Sequence, residues 1–206
     1  MSKPLDRLLK DIRMCRVCRD GVEADNALPH EPRPVFQVSS GARICICGQA
    51  PGTRVHASGV PFTDPSGERL RDWMEVSEEE FYDANRIAII PMGFCFPGFD
   101  AKGSDLPPRK ECAPMWRERL FARLPEIELL LLVGGYAQSW HIGARRGRTL
   151  TETVRNWRPD DRTHDGPILI PLPHPSWRNN AWLRKNPWFE TRVLPALKCA
   201  VRTRLE

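Results

Sequence analysis

Lysine is scarce in this chain. Of its 31 basic residues only six are lysine, at positions 3, 10, 102, 110, 185 and 198, which leaves 25 arginines against 26 acidic side chains and a net charge of +5. Most of that charge belongs to a solvated surface. The preference for a planar guanidinium over an ammonium nevertheless favours two-pronged contact with phosphate slightly, although a GC-rich coding sequence would give the same bias. Long apolar runs are also missing. The longest, Ile127 to Val133, is broken by Glu128 and is far too short to span a bilayer. The first residues carry Lys3, Asp6, Arg7, Lys10 and Asp11 and lack the apolar core of an export signal, so a cytoplasmic protein without a membrane partner is expected. There is no internal repeat and no low-complexity linker, and 206 residues suffice for one domain, 1–206, with its own core. Seven cysteines is an odd number, and without an export signal a disulfide framework is excluded in favour of metal or cluster ligation.

The chain is otherwise a run of short apolar segments punctuated by turns and helical stretches. Asp6 to Met14 reads as an amphipathic helix and His30 to Pro34 as an extended, proline-rich lead-in. Strands are expected at Ala42 to Cys47, Arg86 to Ile90, Glu128 to Val133 and Ile168 to Leu172. Between them, helices are expected from Glu68 to Trp73, Ser77 to Ala84 (with Ser77 and Glu80 as a capping box), Lys110 to Leu124 and Tyr136 to Ile142. A loop is expected from Pro97 to Pro108. Trp188 to Arg204 closes the chain as a helix interrupted near Pro195. Short, continuously apolar strands alternating with helices predict a parallel sheet covered on both faces. In such a sheet the loops after Cys47, Ile90, Val133 and Leu172 converge at the carboxyl ends of the strands, where ligands bind.

Those loops hold the chemistry-bearing residues. Gly48-Gln49-Ala50-Pro51-Gly52 is either an ordinary strand-exit turn or a tight turn whose exposed N–H groups hold a carbonyl-rich ring or a phosphate. In Gly59-Val60-Pro61-Phe62-Thr63-Asp64-Pro65-Ser66-Gly67, Phe62 either anchors the loop or stacks on a flat base. Asp64 either caps a helix or holds a water and stabilises positive charge on a sugar. His174 follows the last strand and is structural or catalytic. Its neighbours Ser176, Arg178 and Asn179 suit phosphate contact, and Trp177 is a wedge of the kind that enters a base stack. Cys15 and Cys18 form a C-x-x-C pair. With Cys95 and Cys112 they make a ligand set for a 4Fe–4S cluster or, less favoured, zinc, unless the latter two are small buried apolar residues. Cys45 and Cys47 share one strand face and read as core, as does Cys199.

Taken together, these segments resemble the uracil-DNA glycosylase superfamily, and most closely its iron–sulfur-containing bacterial branch. Gly48–Gly52 is similar to the first, base-pocket motif, Gly59–Gly67 to its Gly-x-Pro-Phe continuation, and His174-Pro175-Ser176 with Arg178 and Asn179 to the last motif. The cysteine order also matches. The resemblance covers Cys15 to about Asn180. It implies an α/β, three-layer α/β/α fold with a central four-stranded parallel sheet, and a hydrolase of base excision repair that flips a deoxyuridine out of DNA and leaves an abasic site. It further implies that Phe62 stacks on uracil and that the backbone around Gln49 and Ala50 contacts its carbonyls. His174 would bind the oxygen that gains charge, Asp64 would position water or stabilise the sugar cation, and Ser176, Trp177, Arg178 and Asn179 would meet the DNA. Cys15, Cys18, Cys95 and Cys112 would hold a structural 4Fe–4S cluster. Two departures stand out. The family commonly places an asparagine four residues before the third cluster cysteine, where this chain has Pro91; reading of the Watson–Crick edge would fall to backbone near Met92 and Gly93 or to another side chain. The first motif also offers the neutral Gln49 where some branches have an acid, which moves the water-positioning role to Asp64. A monomer is expected, because a single lesion has no two-fold symmetry. The competing readings are a non-catalytic nucleic-acid-binding member of the same fold, a glycosylase for another deaminated base, and a zinc protein or small-ligand enzyme with look-alike loops.

Overall fold

A computed structural model describes residues 3–23, 26–161 and 166–206. Helix α1 (Lys3–Arg13) buries Leu5, Leu8, Leu9 and Ile12, the spacing of one helical face, and a short α2 (Val17–Asp20) follows it. Strand β1 (Ile44–Cys47) leads through the Gly48–Gly52 turn into α3 (Thr53–Ser58) and then α4 (Pro65–Met74). Asp64 caps α4 and Pro65 occupies its first turn, where the missing N–H costs nothing. Helix α5 (Glu78–Tyr82) begins at the expected Ser77–Glu80 capping box and precedes β2 (Ile87–Ile89). After a long loop come α6 (Cys112–Phe121), β3 (Leu129–Val133), α7 (Gly135–Ile142), α8 (Leu150–Asn156) and β4 (Ile168–Leu172). A short α9 (Asn180–Lys185), a π turn at Phe189–Val193 and α10 (Leu194–Leu205) end the chain.

The four strands form one parallel sheet in the order β2-β1-β3-β4. Alternation along the strands builds two cores. Ile44, Ile46, Leu129, Leu131, Val133, Ile170 and Leu172 face one side, where α4, α5, α8 and α10 add Leu70, Phe81, Val154 and Leu197. Cys45, Cys47, Leu130, Leu132 and Leu169 face the other, covered by Leu5 and Leu9 of α1 and by Trp116 and Leu120 of α6. The result is the three-layer α/β/α arrangement expected from the strand pattern. Each fully buried leucine or isoleucine contributes about 1.5–3 kcal/mol, so the central strands dominate the stability. Both sheet edges are protected. Gln37 pairs antiparallel with Ile89 across the outer side of β2, and its side-chain amide donates to the Ile87 carbonyl at 2.7 Å. At the other edge β4 contains Pro171, tolerable because the strand has a neighbour on one side only.

Three expectations need correction. Cys199 is exposed, not core. On α10 the inward positions are Leu197 and Val201, four apart, and Cys199 lies midway between them on the outward face. The interruption of the closing helix is the π turn before Pro195, not the proline itself, which sits in the first turn of α10. The helix expected from Glu68 starts at Pro65, because Asp64 supplies a cap the apolar pattern does not reveal. In the native protein Cys199 should therefore react rapidly with a thiol reagent, whereas Cys45 and Cys47 should stay silent until the fold is denatured. Mass mapping of the labelled sites checks this, and slow labelling of Cys199 would contradict its placement.

Candidate active site

The first and last motif loops meet at the carboxyl ends of β1 and β4. Together they line a pocket of about 550 Å³, including its open mouth, with Gln49, Ala50, Phe62, Asp64, Pro91 and His174 on its walls. The pocket opens into a broader cleft bordered by Arg54, Asp105, Ser176, Trp177, Arg178 and Asn179. In the Gly48–Gly52 turn, no described residue accepts the backbone N–H of Gln49 or Ala50, so both remain available to a ligand carbonyl.

Phe62 stands at φ 55°, a strained value for a side chain with Cβ. Two contacts hold it there. The Tyr82 hydroxyl donates to the carbonyls of Pro61 at 2.9 Å and Phe62 at 3.2 Å. Gly67 lets α4 approach so closely that an added Cβ would lie 1.8 Å from the Phe62 carbonyl oxygen. The ring of Phe62 packs edge-on against Phe81 at 6.1 Å, and a Cβ on Gly48 would touch its tip at 3.5 Å. Glycine at 67 thus keeps the Phe62 loop in register against α4. Tyr82 escaped sequence reasoning because it lies in a helix outside every motif.

Asp64 is both cap and pocket wall. Its Oδ1 accepts from the Ser66 N–H at 3.0 Å, the Gly67 N–H at 3.3 Å and the Ser66 hydroxyl. Its Oδ2 has no hydrogen bond among the described residues and is left for the pocket. His174 is oriented by its own loop, with the Ser176 N–H donating to Nδ1 at 3.2 Å. A nitrogen that accepts cannot carry the proton, so the neutral ring bears it on Nε2, ready to donate. Burial, the largest influence, holds His174 below its ordinary value of 6.5; Asp64 and Asp105 oppose this and Arg178 reinforces it. Asp105, an exposed residue of the long loop after β2, was not singled out from the sequence, where loop acids are common. Arg69 of α4 is a second residue missed. It donates to the Ser176 carbonyl at 3.1 Å and to Asn180 Oδ1 at 2.9 Å, tying the histidine loop to the helix that Asp64 caps.

Other expected residues fall differently. Met92 and Gly93 do not line the base pocket, and their N–H groups are spent on the carbonyls of Gly48 at 2.9 Å and Gln49 at 3.0 Å. They stitch β2 to the first motif loop and leave Pro91 facing the pocket. The Asn179 amide donates to the His174 carbonyl at 2.7 Å, bracing the loop. Trp177 is 71% exposed with Arg178 stacked 5.9 Å away, an uncommon degree of exposure for tryptophan.

Cys15, Cys18, Cys95 and Cys112 line a single, mostly apolar cavity. Its walls come from the end of α1, from α2, from the segment after β2 and from the start of α6, and the Phe94 N–H donates to Cys112 Sγ at 3.4 Å. Burial pushes the Cys95 and Cys112 thiols up to about 12 and raises Cys18 as well. Among the described residues, no three His, Cys, Asp or Glu side chains converge as a group that could hold a metal ion. No helix of the described residues is long and apolar enough to cross a membrane.

The motif loops thus meet in one pocket at the carboxyl edge of a parallel sheet, with Asp64 and His174 on its walls. The model of the Uracil DNA glycosylase superfamily matches residues 36–198, and the chain belongs to that family. Membership makes DNA its class of substrate and points to a DNA glycosylase. An NMR titration should place the His174 imidazole below 6.5, because its environment favours the neutral form. Between that lower value and 6.5 the unfolded chain binds a proton that the folded chain refuses. Folding stability should therefore fall as pH is lowered through this window. A midpoint at or above 6.5 would contradict the assigned environment.

Proposed function

We propose that the protein is a uracil-DNA glycosylase that removes uracil from DNA by base flipping. The observation that carries this reading is the joint placement of Phe62, Asp64, His174 and the free N–H groups of Gln49 and Ala50 around one pocket. A uracil extruded from the helix would stack on Phe62, its carbonyl oxygens facing the Gln49 and Ala50 N–H groups and His174 Nε2. As the C1′–N1 bond breaks, the electron pair leaves with the base and positive charge grows on the sugar. His174 stabilises the first charge by donation, and the free Oδ2 of Asp64 stabilises the second or orients the attacking water. Trp177 fills the vacated stack, and Arg178, Arg54, Ser176 and Asn179 meet the DNA strand along the cleft. The protein acts as a monomer on one lesion.

Pro91 gives this reading its main competitor. Pro91 brings no side-chain amide to that wall, so carbonyl oxygens are met by the backbone donors and the Gln49 side chain, which favours deaminated bases as a class over uracil alone. The decisive test is base release from a labelled duplex carrying one uracil, beside matched hypoxanthine and thymine-mismatch duplexes. Uracil should be released fastest. Asp64→Asn keeps a competent helix cap and should lower turnover about 10²- to 10⁴-fold with DNA binding intact. His174→Ala should also collapse the rate. Release of hypoxanthine ahead of uracil would move the specificity; binding without any release would make the protein a non-catalytic member of the family.

We further propose that the cysteine cavity takes a 4Fe–4S cluster in preference to zinc, on the ground that four cysteines line one mostly apolar cavity. Cys15, Cys18, Cys95 and Cys112 would each supply one thiolate. The cluster's contribution would be structural, tying the N-terminal helices to the segment that follows β2. Protein purified without oxygen should be brown with about four irons per chain, and Cys95→Ser should lose the colour and melt at lower temperature. Colourless anaerobic protein holding stoichiometric zinc would refute the assignment.

A further inference from the structure

Behind the base pocket, between β1 and α6, lies a buried charge that the glycosylase chemistry does not use. Arg117 of α6 is only 1% exposed. Its Nη1 donates to the carbonyls of Ile90 and Pro91, each at 3.1 Å. Its Nη2 donates to Cys47 Sγ at 3.2 Å and to His141 Nε2 at 2.6 Å, and the Phe121 ring lies 5.1 Å from the guanidinium carbon. Among the described residues no carboxylate lies within ion-pair distance of it.

A guanidinium stays charged at any accessible pH, and a buried charge without a partner is strongly disfavoured. The surrounding groups leave few choices for the partner. Arginine has only donors, so His141 Nε2 can meet it only as an acceptor and offers no anionic charge. Backbone carbonyls supply dipoles but no net charge. Cys45 and Cys47 remain, with their sulfurs 3.8 Å apart, and only Cys47 touches the guanidinium. Cys47 as a thiolate would accept from Arg117 on one side and from the Cys45 S–H on the other. The titration tendencies agree. Burial alone would raise Cys47, but the Cys45 thiol, Arg117 and the neighbouring His141 together outweigh it and hold Cys47 well below the ordinary thiol range. Burial lifts Cys45 well above that range.

The carbonyls that Arg117 grips belong to the pocket wall. Ile90 is tied by its N–H to the Ile46 carbonyl at 2.8 Å, Pro91 has no N–H to tie, and Met92 and Gly93 are stitched to the first motif loop. The Ile90–Pro91 peptide, which has no N–H, is therefore held at its carbonyl by Arg117, while the Pro91–Met92 peptide is gripped at its carbonyl by Arg117 and at its N–H by Gly48. We propose that Arg117, with the Cys47 thiolate as its counter-ion, is a positioning residue of the base pocket, fixing the Ile90–Pro91 wall against which the edge of the base rests. This rests on the glycosylase reading for its catalytic consequence, though not for its geometry.

The test compares the wild-type protein, Cys47→Ala, and the double variant Cys47→Ala/Arg117→Met, which removes both charges and leaves an apolar pair. At neutral pH the difference in ultraviolet absorbance between wild type and Cys47→Ala, at equal iron content, should show the thiolate band of one cysteine. The double variant should retain the wild-type circular dichroism. Its kcat for uracil release should fall about 10- to 100-fold with KM little changed, as a displaced wall misaligns the base. Its crystal structure should show the Ile90 carbonyl moved. Absence of the thiolate difference would overturn the ion pair, and an unaltered kcat would overturn the positioning role. Should the double variant not fold, Arg117→Lys keeps the charge but loses the fork that spans these acceptors, and the same fall in kcat is expected of it. Should wild type itself release no base, the glycosylase reading fails separately. The crystallographic position of the Ile90–Pro91 carbonyls in the folded variant then decides alone, and carbonyls left in place would overturn the proposal.

Discussion

The parallel alignment of β1 between β2 and β3 is the constraint on which the rest of the molecule depends. Because all four strands run the same way, every loop that leaves a strand's carboxyl end emerges on one side of the sheet. That places the Gly48–Gly52 turn beside Pro91 and within reach of His174, residues separated by more than a hundred positions in the chain. The alignment is enforced by burial on both faces. A slip of one residue would turn Ile44 and Ile46 into the core that holds Cys45 and Cys47 and reverse every packing partner. The edges need separate protection, and Gln37 and Pro171 provide it at the two ends of the sheet.

On this frame α4 acts as the hinge between structure and chemistry. Its first turn takes its cap from Asp64, its Gly67 makes room for the strained Phe62, and its Arg69 reaches across to the loop that carries His174. One helix thereby fixes the relative placement of an aromatic face, a carboxylate and an imidazole. The division of labour within the Asp64 carboxylate follows from this: one oxygen is committed to three donors, and the other is left toward the pocket. The neutral state of His174 follows from its burial and from the Ser176 N–H that occupies Nδ1. Under the proposed chemistry a fixed carboxylate and a fixed imidazole donor would suit a bond that parts into a cationic and an anionic fragment, because neither group has to reorganise as charge develops.

Much of this was legible in the sequence, and the remainder was hidden for identifiable reasons. The four strands could be read because each is a short apolar run ended by glycine or proline, and the capping box at Ser77 was visible because both partners are local. Asp64 could be read as a cap or as a catalytic group, and the geometry shows the first use without excluding the second. What could not be read were contacts between distant segments. Tyr82, Arg69 and Asp105 carry no local signature, and Arg117 looks like any other helix arginine until its burial is known. The placement of Met92 and Gly93 away from the pocket depends on two backbone hydrogen bonds to the first motif loop, which no residue type announces. Cys199 failed for the opposite reason: cysteine is usually buried, but a helix must turn some residue outward between two core positions.

Under the proposed chemistry, the pocket's selectivity would follow from what its wall lacks. A side-chain amide can present a donor and an acceptor side by side and so demand one pattern on the base edge. The wall at Pro91 has no such group, and the backbone N–H groups of Gln49 and Ala50 can only donate. Donors accept a carbonyl and oppose an amino group, since an N–H facing an N–H leaves both unsatisfied in a buried site. Deamination converts an amino group into a carbonyl, so on that reading a wall of this kind would separate a deaminated base from its parent even without reading the whole edge. Under the proposed chemistry, size would then be set by Phe62 and by the fixed position of the Pro91 peptide. The buried Arg117, which holds that peptide, would in this way influence which base fits without touching it.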